Sequence, residues 1–96
     1  MSKEKEKLNR KKKIKARVYE RDGRRCLVCG RIDHLTIDHI VPLSLWKNNS
    51  HRNMQVMCGQ CNAEKGVKVI SYRTDEGALS TINKYLKLKS RDDNNV

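Results

Sequence analysis

Apolar residues in this chain are sparse, and their spacing changes from helical to strand-like and back. Ile14 and Val18 lie one helical turn apart inside a run of Lys, Glu and Arg. That spacing predicts a helix over about 9–21, ended by Asp22-Gly23. The residues before it are densely charged and are expected to fray. Residues 35–38 and 54–57 read as two short strands, separated by a polar loop from Pro42 to Arg52 with a turn signal at Asn48-Asn49-Ser50. Residues 60–65 fit a short helix closed by Gly66. Thr74 is placed to cap a last helix of about 75–89, with Ala78, Leu79, Ile82, Tyr85 and Leu86 as its apolar face. The result is a small α+β fold.

Composition shows what such a fold lacks. Only 36% of the 96 residues are apolar, with no Phe and one Trp, so the core is modest and a covalent or metal staple is expected. Cys26, Cys29, Cys58 and Cys61 supply one, as two Cys-x-x-Cys knuckles at either end of the strand-loop-strand segment. Thiolates two residues apart in a tight turn converge on one ion, and two such turns complete a tetrahedron of sulfur around zinc. Gly30 and Gly59 ease the turns. Two disulfides or a redox dithiol are the competing readings, and a reducing compartment favours the metal.

The formal charge of +11 is uneven, with twelve Lys/Arg against four Asp/Glu in residues 1–25. A basic segment of that kind is the electrostatic footprint of a polyphosphate binder. A solubilising tail is the bland alternative. No apolar run is long enough to span a bilayer, and the N-terminus has no apolar signal core. A soluble, cytoplasmic protein without a membrane partner is expected.

Between the knuckles runs Asp38-His39-Ile40-Val41-Pro42, followed by Asn53-Met54-Gln55-Val56-Met57-Cys58-Gly59-Gln60-Cys61-Asn62-Ala63-Glu64-Lys65-Gly66. With the first knuckle, these residues resemble the HNH endonuclease family over about residues 13–66. The resemblance implies a ββα-metal fold with a four-cysteine structural zinc and flanking N- and C-terminal helices. The chain then divides into a basic, partly disordered extension (1–12), a nuclease domain (13–70), a helix packing on it (71–89) and a disordered tail (90–96). It also implies that Asp38 and Asn62 bind one catalytic divalent ion, that His39 is the general base, and that Asn53 orients the loop and so the imidazole. The last letter of the motif here is Asn62 rather than His, making this a His-Asn-Asn variant.

Elementary chemistry supports those roles. Phosphodiester hydrolysis needs a deprotonated water and charge neutralisation at the phosphate. Imidazole, with an ordinary pKa of ~6.5, accepts a proton at physiological pH. A carboxylate and an amide carbonyl are hard oxygen donors that suit Mg²⁺ or Mn²⁺ better than zinc. Adjacent strand side chains point to opposite faces, so unless the strand ends there a bulge or turn at His39 is expected to redirect it.

Other residues carry weaker expectations. Lys65 shares a helix face with Asn62 and reads either as a phosphate contact or as a solvated lysine. Arg52 and His51, in the loop before Asn53, and Lys11, Lys12, Lys13, Lys15 and Arg17, on the first helix, are candidate nucleic-acid contacts. His51 is also a lesser candidate for a metal ligand. His34 is expected to be exposed, Trp46 to pack under the loop rather than meet DNA, and Tyr72 and Tyr85 to join the core. The function expected is metal-dependent DNA nicking that leaves 5′-phosphate and 3′-hydroxyl ends, in a bacterial or phage-infected cell. A second copy of the chain or a phage packaging protein is the candidate partner. A non-catalytic zinc-ribbon module that binds nucleic acid is the alternative, and Asp38, His39, Asn53 and Asn62 together separate the two.

Overall fold

The computed structural model describes the backbone of residues 3–94 and the side chains of residues 10–90. The order of elements is α1 (Lys3–Arg21), β1 (Leu35–His39), a 3₁₀ turn (His51–Asn53), β2 (Met54–Cys58), α2 (Gly59–Lys65) and α3 (Glu76–Asn94). The first helix begins at Lys3 rather than near residue 9, because the Lys, Glu, Leu and Arg that precede Ile14 are all strong helix formers. The last helix runs to Asn94, five residues past the expected end, so residues 90–94 of the tail are helical. Residues 1–2 and 95–96, expected to be disordered, lie outside the described residues.

β1 and β2 form one antiparallel pair in unbroken register from Leu35↔Cys58 to His39↔Met54. Each face of this ribbon packs against a different element. Val56 and Ile37 face α1, where Val18 is fully buried and Ile14 and Tyr19 pack beside it. The stop after α1 places Gly23 at φ 79° and Arg24 at φ 53°. Gly23 N–H donates to Glu20 O at 3.3 Å and Arg24 N–H to Tyr19 O at 2.8 Å, the paired bonds of a Schellman end. Another cluster lies beyond the end of β1, where Ile40, Val41 and Ala78 are buried with Trp46, Val69, Ile82 and Tyr85 around them.

No third strand pairs with the outer edge of β2 among the described residues; Leu27 N–H donates to Val56 O at 3.1 Å, and side chains satisfy the other groups. Asp22 accepts from Val56 N–H at 3.0 Å, and Arg21 and Arg73 both donate to Met54 O, at 2.7 and 2.9 Å. Arg21 also reaches His51 O and Arg73 reaches Arg52 O. Two arginines thus tie both terminal helices to the entry of β2, and no buried side-chain polar atom among the described residues lacks a partner.

Three expectations for the C-terminal half change. The residue preceding α3 is Asp75, which accepts from Ala78 N–H and replaces Thr74 as the cap. Leu79 and Leu86 are about half exposed, because the buried stripe follows Ala78, Ile82 and Tyr85 and the two leucines sit one residue round from it. Tyr72 is exposed, whereas Trp46 is half-buried and lies 6.0 Å from Tyr85 between ring centroids.

Arg73 beside Asp75 holds this carboxyl below its usual range, against a smaller opposing effect of burial. A depressed carboxylate stabilises the fold above its ordinary pKa of ~3.9, and the contribution is lost as pH falls through the folded value. The gap in Tm between wild type and Asp75→Asn is therefore expected to be widest near neutral pH and to close below about pH 4. A gap that does not change across a pH series of thermal melts would contradict this pairing.

Candidate zinc cluster and active-site cleft

Each knuckle has its own local reason to turn. After Cys26, the bonds Gly30 N–H to Cys26 O (2.9 Å) and Cys26 N–H to Arg31 O (2.8 Å) close a tight loop, with Gly30 at φ 79°. Cys58 ends β2 and caps α2, its Sγ accepting from Cys61 N–H at 3.4 Å. The four Sγ atoms lie within 4.8 Å of one another, a spacing that one tetrahedral ion can bridge. Burial pushes the Cys26 thiol up, but N–H groups of Cys29, Cys58 and Val28 outweigh it and bring the thiol down to about 6. Cys58 is also lowered, chiefly by Cys61 N–H, while the Cys58 side chain and burial push Cys61 up. The cluster is chemically suited to zinc, and it fixes β2 and α2 to the loop preceding β1.

At the other end of the ribbon, fully buried Asn53 holds the loop. Its Oδ1 accepts from Val41 N–H at 2.9 Å, and its Nδ2 donates to Val41 O (3.0 Å) and Asn48 O (2.8 Å). The loop thus fastened carries Asn49, whose Oδ1 lies 2.9 Å from His39 Nε2. Asn53 therefore reaches the imidazole through the loop, and Asn49 is the residue that touches it.

Asp38 and His39 occupy consecutive positions of a regular strand, with no bulge between them. They point to opposite faces, and the expected turn at His39 is absent. Asp38 is 7% exposed and bonds to Gln55 Nε2 at 2.8 Å and to Lys65 Nζ at 3.2 Å. On the same face Asn62 Nδ2 donates to Thr36 Oγ1 at 3.0 Å, and no protein donor reaches its Oδ1 among the described residues. His39 borders a cleft on the α1 side with Lys11, Ile14, Lys15, Leu43, Asn49 and Met54. A second cleft, of about 220 Å³, is lined by Ile37, Asp38, His39, Pro42, Leu43, Asn62 and Gly66. His39 and Leu43 border both, so the two clefts adjoin across the end of β1. The strand stops at His39 and so brings the two faces together without bending.

A profile of the HNH endonuclease family matches residues 26–76, more than half of the chain. The chain belongs to the HNH endonuclease family. No curated protein and no solved structure matches it. The ββα unit of the family is here β1, β2 and α2, held at the knuckle end by the cysteine cluster.

The remaining HNH site candidates separate by position. Lys11 and Lys15 are exposed and line the His39 cleft, whereas Lys12 and Lys13, also exposed, do not. His51 and Arg52 are exposed on the 3₁₀ turn. Burial, followed by the positive charges of Arg52, Arg21, Arg73 and Arg17, lowers the His51 pKa below the ordinary imidazole value. His51 lies outside the four-cysteine cluster. His34 is exposed, at φ 52°. Lys65 contradicts both of its sequence readings: its side chain is fully buried against Asp38, so it is neither solvated nor free to meet a phosphate. Its apolar stem and three polar acceptors explain the burial.

Asn49 and Gln55 were missed as site residues. Asn49 looked like a turn signal, and its nearness to His39 depends on Asn53 fastening the loop. Gln55 carried a signal, since a Gln in an apolar strand requires a partner, and its register position opposite Asp38 identifies it. Purified protein is expected to contain about one zinc per chain and to release it as pH falls, since protons compete for thiolates. Strong chelation should unfold the protein in one cooperative step followed by circular dichroism, and an unchanged spectrum after complete metal loss would contradict the clamp.

Proposed function

We propose that the protein is a metal-dependent DNA endonuclease that hydrolyses phosphodiester bonds one strand at a time. The observation that carries this reading is the shared cleft wall of Asp38, His39 and Asn62, continuous through His39 with the lysine-lined cleft on α1. A module that only binds nucleic acid has no use for a carboxylate, an amide carbonyl and an imidazole converging at one strand end.

The donor set fits a hard divalent cation. Asp38 offers a carboxylate and Asn62 an amide oxygen without a protein donor among the described residues, both on the wall of one cleft. Mg²⁺ and Mn²⁺ are commonly held by one or two such groups, with water and substrate phosphate completing the shell. When bound, such an ion supplies charge neutralisation at the phosphate and at the departing 3′ oxygen. Lys11 and Lys15 attract the backbone phosphates along α1. With the proton on Nε2, His39 donates to Asn49 Oδ1, and Nδ1 is then the nitrogen that takes a proton from the attacking water. Attack on phosphorus with loss of the 3′ oxygen leaves a 5′-phosphate and a 3′-hydroxyl.

Supercoiled plasmid should be nicked in Mg²⁺ or Mn²⁺. His39→Ala should lower the rate by about 10²–10⁴-fold, with zinc content and duplex binding retained. Asn49→Ala, which releases the imidazole, should fall between the two. Equal nicking by wild type and His39→Ala would remove His39 as the base, and tight duplex binding without nicking in any divalent metal would leave a binding module.

A further inference from the structure

Hydrolysis as described has no use for a lysine beneath the proposed metal ligand, yet Lys65 is 3% exposed and its side chain fully buried. Its Nζ lies 3.2 Å from Asp38 Oδ2, 3.3 Å from Asp38 Oδ1 and 2.9 Å from His39 O. Gln55 Nε2 bonds the same carboxylate at 2.8 Å and Ile70 O at 2.9 Å, and its Oε1 accepts from Tyr72 N–H at 2.8 Å. Asp38 lines the cleft and Lys65 does not, so the ammonium lies behind the carboxylate. Asp38 is also the sole acidic residue on that wall among the described residues. Paired with Lys65, it leaves the cation side of the cleft with no net formal charge.

A dication on the open side of Asp38 and an ammonium on its buried side repel one another through a medium that screens poorly. A phosphodiester oxygen supplies the negative charge that the protein wall lacks. We propose that Lys65 is a positioning residue that holds Asp38 in place and keeps the free protein's affinity for divalent cations low, so that the ion binds tightly only together with a DNA phosphate. This rests on Asp38 and Asn62 being the ligands of the catalytic ion. Metal and DNA binding are then positively coupled, and each raises the other's affinity by the same factor.

The test is a Mn²⁺ titration of zinc-loaded protein carrying His39→Ala, which leaves DNA uncut. Free Mn²⁺ is read by electron paramagnetic resonance, without and with a short duplex, and the duplex alone serves as the blank. The duplex is expected to tighten Mn²⁺ binding by about tenfold or more. Adding Lys65→Met should tighten Mn²⁺ binding in the absence of DNA by about tenfold and shrink the coupling. A merely structural lysine predicts the reverse, because a damaged site binds metal less well. Weaker or unchanged Mn²⁺ binding by a folded Lys65→Met protein overturns the proposal. Should that variant not fold, equal Mn²⁺ affinity of the parent with and without duplex overturns it instead. Plasmid nicking by wild type, run alongside, separates the two levels. Nicking without coupling removes only the role of Lys65, and no nicking removes the endonuclease reading itself.

Discussion

Two strands of five residues cannot hold themselves together in water, and the rest of the structure answers that constraint. The cysteine cluster closes one end of the ribbon. Asn53 closes the other by bonding both polar backbone groups of Val41. Along the free edge of β2, Leu27 N–H and the side chains of Asp22, Arg21 and Arg73 supply the partners that a third strand would have given. The two terminal helices are attached through these same arginines, so their docking and the integrity of the ribbon are one event.

The same economy shapes the active site. A ribbon this short ends abruptly, and its end is where residues from both faces become neighbours. Asp38 and Asn62 stand on the α2 face and His39 on the α1 face, yet His39 borders both clefts. Each side chain is held by a different device: Asp38 by Lys65 and Gln55, His39 by Asn49, Asn62 by Thr36. Only Lys65 reaches across among these contacts, bonding Asp38 and, at 2.9 Å, His39 O. Lys11 and Lys15 of α1 border the cleft of His39 and Asn49 and not that of Asp38 and Asn62, so the positive charge they add lies on the imidazole side.

Much of this was legible in the sequence where one residue type has one physical use. Two Cys-x-x-Cys pairs specify convergence on a metal, Val18 one turn from Ile14 specifies the buried face of α1, and Gly66 ends α2 at φ 58°. Legibility fails where the outcome depends on a partner distant in sequence. Lys65 looks like any helix-terminal lysine until Asp38 is known to lie against it, 27 residues away. Adjacent Asp38 and His39 suggest either a bulge or a strand that ends there, and the pairing, regular through His39, shows the second. Helix limits are obscured for a simpler reason: charged but strongly helix-forming segments carry no apolar period by which to see them.

Asp38, Asn62 and His39 have to serve one phosphate across the end of β1 for the site to work as proposed. A double-mutant cycle on single-turnover nicking tests this most directly, with His39→Ala, Asn62→Ala and the pair compared with wild type. Groups that act on one phosphate as a unit lose little more together than the worse single change does, and that non-additive result is predicted. Losses that simply multiply would mean that the two faces work independently, and would contradict a single catalytic centre at the end of the strand.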